Sequence, residues 1–249
     1  GNPPYSGISS NNGEWISNLI EDYKYVDGVH FNERKHWLND DYVKFLRYGQ
    51  HFIQKNGSGI LAFINPHGFL DNPTFRGMRW HLLKTYDKIY ILDLHGNSKK
   101  KETAPDGSPD INVFDIQQGV SINIFVKTGK KKTNELGKVY HYDLYGKRDF
   151  KYDFLLRNDF SDVNFSISEY KKPFFFLKPF DYGVFEEYQK AFKVTDIFGR
   201  NSVGCVSAND SLNISYSKRK QQSKIDDILH MEESEWRNKY KRLKDARDW

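Results

Sequence analysis

The stretch between residues 39 and 94 constrains this chain more than any other feature. Tyr42, Val43, Phe45, Leu46, Gly49, Phe52 and Ile53 recur at helical spacing. Asn39 or Asp40 supplies an N-cap, and Lys55-Asn56-Gly57-Ser58-Gly59 stops the helix. Ile60-Leu61-Ala62-Phe63-Ile64 then reads as a short, fully buried strand. Asn72-Pro73 opens a second helix to about Thr85, with Asn at the cap and Pro in the first turn. Lys88-Ile89-Tyr90-Ile91-Leu92-Asp93-Leu94 is a second buried strand. Strand, helix and strand in that order predict a parallel sheet with helices on its faces.

The flanking segments complete this α/β expectation. Residues 6–38 are Gly/Ser/Asn-rich and then mixed, which reads as a long loop, mobile without a ligand, with one short helix near Glu14-Glu21. Residues 95–110 carry Lys99-Lys100-Lys101 and Asp106-Gly107, a polar loop unsuited to a core. Val120–Val126 alternates, and after Lys130-Lys131-Lys132 comes Lys138–Leu144, so a hairpin with a basic loop is expected. Residues 1–147 therefore predict parallel strands ending in an antiparallel hairpin. Residues 148–216, aromatic and irregular, predict a connector packed on that sheet. Residues 217–249 predict charged helices with Ile225, Leu229, Met231, Trp236, Tyr240 and Leu243 on the apolar side.

Composition excludes several classes. With 249 residues, 38% apolar and 29% charged, the chain can bury a core. It has no run of about 18 apolar residues and no basic-then-apolar N-terminus, which argues against membrane spans and a secretory signal and for a cytoplasmic protein. A single cysteine, Cys205, excludes an internal disulfide framework and a multi-cysteine zinc site, and its apolar surroundings predict an inert buried thiol. The histidines form no sequence cluster, so no metal centre is expected. The net charge of +5 permits a polyanionic partner and does not identify one.

Asn2-Pro3-Pro4-Tyr5 is the sharpest local feature. Two adjacent prolines fix the backbone and present a carboxamide and an aromatic ring on a rigid turn. The Asn2 amide oxygen and the Pro3 carbonyl are acceptors for an exocyclic amine, and Tyr5 can stack on the ring that bears it. Other signals are weaker. The lysine runs suit phosphate contacts and solvated loops equally. Phe174-Phe175-Phe176 is expected in the core. His67 is expected as a hydrogen-bonded loop histidine, with a place at the rim of the site as the weaker alternative.

The sequence resembles the S-adenosylmethionine-dependent N6-adenine-specific DNA methyltransferases of the Asn-Pro-Pro-Tyr type. The likeness continues through Asp41-Tyr42-Val43-Lys44-Phe45-Leu46, Gly59-Ile60-Leu61-Ala62-Phe63-Ile64 and Val113-Phe114-Asp115-Ile116-Gln117-Gln118-Gly119, in the family's motif order. Asn72–Arg79, Asp93-Leu94-His95-Gly96-Asn97-Ser98 and Asp245-Ala246-Arg247-Asp248-Trp249 resemble the branch found in large single-chain restriction-modification enzymes of bacteria and archaea. The resemblance implies a Rossmann-like sheet, double-stranded DNA as partner, and a flipped adenine held by Asn2, Pro3, Pro4 and Tyr5 with Phe114 as a second stacking ring. It also implies that Asn2 and Phe45 line S-adenosylmethionine.

The family's Gly-rich turn and following acidic residue precede the Asn-Pro-Pro-Tyr motif, and this chain carries neither; Gly57-Ser58-Gly59 follows a helix and precedes a strand, the reverse order. The chain is thus expected to be the C-terminal half of the catalytic domain within a longer polypeptide, with an incomplete cofactor site and weak activity alone. A missing N-terminal half, a target-recognition domain beyond Trp249 and fused nuclease or helicase domains are the expected partners. The alternatives are a non-catalytic DNA-binding or assembly module, and a permuted enzyme whose Gly-rich half follows.

Overall fold

Local signals and long-range pairing divide the work of building this protein. In a computed structural model, residues 1–5, 7, 9–33, 35–132, 134–200 and 210–241 are described. Helix α1 spans Glu14–Glu21, and a two-stranded antiparallel ribbon of β1 (Tyr25–Val26) and β2 (Val29–His30) follows, so the described residues between 9 and 33 are more structured than a loop with one helix. Helix α2 spans Asp41–Asn56. The Asp40 carboxylate accepts from Tyr42 N at its start, and left-handed Gly57 (φ 87°) closes it, with its N–H donating to Ile53 O.

Strand β3 (Gly59–Pro66) leads through Asn72-Pro73 and a 3-10 turn to α3 (Arg76–Thr85), then to β4 (Lys88–Asp93). The Asn72 carboxamide caps this turn by accepting from Thr74 N at 3.0 Å. Gly77 lets α3 lie against the Asp22–Lys24 turn, because a Cβ there would sit 2.0 Å from the Tyr23 carbonyl oxygen. After β5 (Val120–Lys127) and β6 (Lys138–Asp143) come α4 (Arg148–Arg157) and β7 (Ser166–Ser168).

The five-stranded sheet has the order β3-β5-β4-β6-β7. This corrects the expected hairpin: β5 pairs antiparallel with both β3 and β4, while β6 pairs parallel with β4 on its other side. Ten residues separate β5 from β6, enough to reach past β4, and Lys131 among them donates to Leu83 O and Lys84 O. Its basic loop is therefore partly structural, and burial pushes the Lys131 ammonium down to about 8. β3 and β4 run parallel as expected, with β5 between them. β3 is not fully buried: Ile60 is 69% exposed and Ala62 is exposed, because this face of the edge strand is uncovered.

One core cluster joins α2, α3 and the strands through Tyr42, Leu46, Met78, Leu82, Ile91 and Phe125. A second lies on the opposite face, where Leu92, Leu94, Val113, Val120 and Leu144 meet Tyr142 and Phe154. Arg79 is fully buried and donates to Phe69 O, Asn72 O and Phe174 O, tying the Phe174-Phe175-Phe176 segment to α3. Phe175 and Phe176 are buried, as expected of core residues. The loop after β4 is likewise partly internal: His95, Ala104 and Asp110 are buried, so its polarity serves buried hydrogen bonds as well as solvent.

Residues 1–182 form one compact unit and 183–249 a second. The residues expected in a connector thus contribute α4 and β7 to the first unit. The second contains most of α5 (Tyr182–Lys190), then α6 (Val194–Ile197), α7 (Asp210–Asn213), α8 (Lys218–His230) and α9 (Glu233–Lys239). Cys205, Leu243 and Asp245–Trp249 lie outside the described residues. No helix among the described residues is long and apolar enough to cross a membrane.

Candidate functional site

Chain direction brings the site together. β3, β4 and β6 are mutually parallel, so Pro66, Asp93 and Asp143 end on one edge of the sheet, and antiparallel β5 starts there at Val120. Gly1 reaches the same edge: its amino group donates to Ala62 O at 2.6 Å and its carbonyl accepts from Ile64 N at 3.0 Å, a parallel bridge on the free side of β3. Asn2 is exposed and Pro3 buried.

The Tyr5 hydroxyl is shared between the Asn2 Oδ1 (2.8 Å) and the Ile64 carbonyl (2.9 Å). Burial pushes this phenol up to about 12, so it remains a neutral donor. One Asn2 oxygen lone pair is thereby engaged and the second is left for another donor. The Tyr5 ring and Phe114 both pack against the second core cluster.

The Phe114 loop is strapped from several sides. Asn112 Oδ1 accepts from Phe114 N at 2.9 Å, and Asn112 Nδ2 donates to Gln118 O at 2.6 Å. Arg148 donates to the carbonyls of Asn112 and Phe114 and to Asp115 Oδ1. Below it, Lys151 forms a fully buried pair with Asp110 at 2.7 Å.

Phe45 stands apart from the core. It is 45% exposed on α2 and lines a cavity of about 620 Å³ with Trp15, Tyr48, Leu61 and Phe63. Phe63 also abuts Gly1, where a Cβ would fall 2.5 Å from its ring, so this cavity wall begins one residue from Asn2. The wall is apolar and aromatic, and its lining includes no carboxylate. Such a wall suits a flat aromatic ring, Asn11 and Lys44 are polar side chains in its lining, and it offers no carboxylate to ribose hydroxyls.

A polar cluster occupies the neighbouring strand ends. His67 Nδ1 lies 2.9 Å from Asp93 Oδ1, and His95 pairs with Glu102 Oε1 (2.8 Å) and Asp143 Oδ1 (2.7 Å) while stacking on Tyr145. Burial alone would raise the Asp93 carboxyl, but hydrogen bonding and charge from His67 and His95 bring it down to about 2. Burial likewise disfavours charged His95, yet its carboxylate partners lift it to about 9. His141 is buried beside them, and burial lowers it. His67 also borders a cavity of about 270 Å³ with Trp37, Tyr42, Asn97, Lys100 and Gln118.

The histidine is thus hydrogen-bonded and at a cavity rim together. His67, Asp93 and His95, and again Asp93, His141 and Asp143, present ligand atoms within 4.8 Å of one another, a grouping that the scattered sequence positions of the histidines do not show. Sequence reading missed Glu102, His141 and Asp143 altogether and took Asp93 and His95 only as part of a resemblance. The available signal was the i, i+2 spacing of His141-Tyr142-Asp143 at the end of β6, which places His141 and Asp143 on one face; His95 lies beyond β4 with a left-handed backbone (φ 53°) and falls outside that alternation.

These features define a mixed α/β sheet with its polar groups on the carboxyl edge, consistent with a Rossmann-like arrangement. No protein-family model matches the chain, and no curated protein matches it. Solved structures do. A DrdV–DNA complex determined by cryo-electron microscopy has TM-score 0.62 and 25% identity, covering 92% of this chain and 24% of that one. The ATP-dependent Type ISP restriction-modification enzyme LlaBIII bound to DNA gives 0.64 and 21%, over 96% of this chain and 16% of that one. A nuclease-deletion mutant of the Type ISP restriction-modification enzyme LlaGI, in complex with a DNA substrate mimic, gives 0.63 and 22%, over 90% and 19%. The chain therefore spans less than a quarter of the length of each of these proteins.

Proposed function

We propose that this chain is the base-binding half of an S-adenosylmethionine-dependent DNA adenine-N6 methyltransferase, within a longer restriction-modification enzyme that acts on double-stranded DNA. The observation that carries the reading is the rigid pairing of Asn2 with Tyr5 at the edge of β3, with Phe114 strapped onto the same apolar cluster as Tyr5. Likeness over 90% or more of the chain to DNA complexes, two of them of Type ISP restriction-modification enzymes, supports the context.

Adenine N6 is a weak nucleophile because its lone pair is delocalised into the ring, so the site must orient the amine and stabilise positive charge on it. The second lone pair of Asn2 Oδ1 and the Pro3 carbonyl accept hydrogen bonds from the two N6 protons, and once N6 has gained the methyl one of those protons leaves to solvent. That geometry favours the pyramidal nitrogen and accepts its developing charge. The target lies inside the duplex and is extruded, with Tyr5 and Phe114 as stacking faces. S-adenosylmethionine, when bound, supplies an electrophilic methyl; Phe45 and Asn2 would hold it against the aromatic cavity.

The test is labelled-methyl incorporation into DNA adenine by the full-length polypeptide. Asn2→Ala is expected to abolish incorporation while DNA retention persists. Equal incorporation by that variant overturns the role of Asn2, and DNA retention without incorporation by the unsubstituted protein overturns the enzyme reading in favour of a binding module.

A further inference from the structure

Three side chains on the carboxyl edge are arranged in a way that methyl transfer does not use. In the parallel register of β4 and β6, Ile91 lies opposite His141 and Asp93 opposite Asp143. Alternation along each strand places Asp93, His141 and Asp143 on one face of the sheet. Each offers a ligand atom, and these atoms all lie within 4.8 Å of one another.

The hydrogen bonding around them is lopsided. Asp93 Oδ1 accepts from His95 N at 3.0 Å and lies 2.9 Å from His67 Nδ1, whereas Asp93 Oδ2 has no hydrogen-bond partner although the residue is 1% exposed. His141 Nε2 is also unpartnered, on a side chain just as deeply buried. Asp143 Oδ1 faces His95 Nε2 at 2.7 Å, while its Oδ2 stands 3.6 Å from His141 Nδ1, beyond a hydrogen bond. Each carboxylate is thus held through one oxygen by a histidine of the outer ring; of the other two oxygens, Asp93 Oδ2 lies 3.8 Å from His95 Nδ1 and Asp143 Oδ2 3.6 Å from His141 Nδ1, both beyond a hydrogen bond.

An unmade bond on a buried polar atom is costly, and more so on a charged group. Asp93 Oδ2 and His141 Nε2 are two such atoms on neighbouring strands, and each calls for a partner. Either a water or a cation can satisfy such atoms, and a cation in addition brings charge to the two carboxylates Asp93 and Asp143. His67 and His95 are poorly placed as ligands, since His67 Nδ1 and both nitrogens of His95 already face carboxylates. They have instead the geometry of outer partners that aim metal-binding carboxylates.

We propose that Asp93, His141 and Asp143 bind a divalent transition-metal ion of the zinc or manganese class. One imidazole nitrogen and two carboxylate oxygens form a donor set suited to such an ion. The Asp143 side chain, 39% exposed, provides the entry path and leaves room for water in the remaining coordination positions.

The site is independent of the methyltransferase reading and is tested without it. The full chain, dialysed against EDTA and returned to chelator-free buffer, is titrated calorimetrically with ZnCl2 and separately with MnCl2, and retained metal is counted after gel filtration. One equivalent of at least one metal is expected. His141→Gln and Asp143→Asn should each weaken binding by about tenfold or more. Visible absorption bands of a Co2+-loaded sample should change in His141→Gln. Asp143 is partly exposed, so Asp143→Asn keeps the proposal testable where His141→Gln fails to fold; circular dichroism establishes folding for each. No retention of either metal by the folded protein, or unchanged affinity in folded Asp143→Asn, overturns the proposal.

Discussion

Lys151→Met should unfasten the loops that carry Phe114. The Lys151 ammonium is completely buried, 2.7 Å from Asp110 Oδ1, and donates to Leu94 O (2.6 Å) and Ile111 O (2.8 Å). Asp110 in turn accepts from Gly96 N and Gly146 N, so one ion pair links the ends of β4 and β6, the 95–112 loop and α4. Methionine preserves length and apolar volume but leaves Asp110 as a buried charge without its counter-ion. Breaking a buried pair from one side costs about 3–5 kcal/mol. At roughly 2–4 °C per kcal/mol for a unit of this size, the melting midpoint should fall by about 6–20 °C. Asp110→Asn in the same chain should recover part of the loss, because the uncharged amide oxygen still accepts from a backbone N–H. The assay is thermal and urea unfolding followed by circular dichroism. A fall of less than about 3 °C in Lys151→Met, or a double variant no better than the single, refutes the reasoning.

Three further outcomes follow from neighbouring geometry. Tyr5→Phe keeps the ring and removes the hydroxyl held between Asn2 and Ile64; about 1 kcal/mol of positioning is lost, so methyl incorporation by the full-length protein should fall about fivefold with DNA affinity unchanged, and an unchanged rate counts against the role of the hydroxyl. Gly119→Ala would put a Cβ 2.4 Å from the His67 ring; overpacking of about 1–3 kcal/mol should lower the unfolding midpoint, and an unshifted midpoint would show that the ring has room to move. His81 is held down to about 4, first by burial, with Arg47 adding to the effect. Between its ordinary value of 6.5 and about 4 the unfolded chain binds a proton that the folded one does not, so stability falls as pH falls, by at most about 1.4 kcal/mol per pH unit and less for partial exposure. Urea midpoints across this range should show a shallower acid loss in His81→Leu than in the parent; identical slopes exclude His81 as a source.

What was legible in the sequence was what local chemistry decides. Asp40, the apolar stripe of α2 and Gly57 act within one helix, and their roles follow from neighbours a few residues away. The Asn72-Pro73 start of the second helical segment was legible for the same reason. Strand order was not, because β5 and β6 carry patterns that suit a hairpin and nothing local records that β4 takes the place between them. The exposure of Ile60 was hidden too: an apolar run specifies a strand and leaves open whether anything covers it.

The polar cluster illustrates the larger rule. Asp93 and Asp143 lie far apart in sequence, and neither flanking segment has a recognisable ligand motif; only parallel pairing of β4 with β6 places them side by side. The insertion of antiparallel β5 then brings Gly119 against His67 and the Phe114 loop against the Tyr5 side of the sheet. Strands of one direction terminate together, and the loops that leave them are free to carry polar groups without disturbing the ladder. The reversed strand contributes its entry loop to that same edge. Residues that read separately as a Pro-Pro turn, a second stacking ring and scattered histidines are therefore neighbours because of chain direction. Their shared location follows from the topology, and the chemistry proposed for each stands on its own contacts.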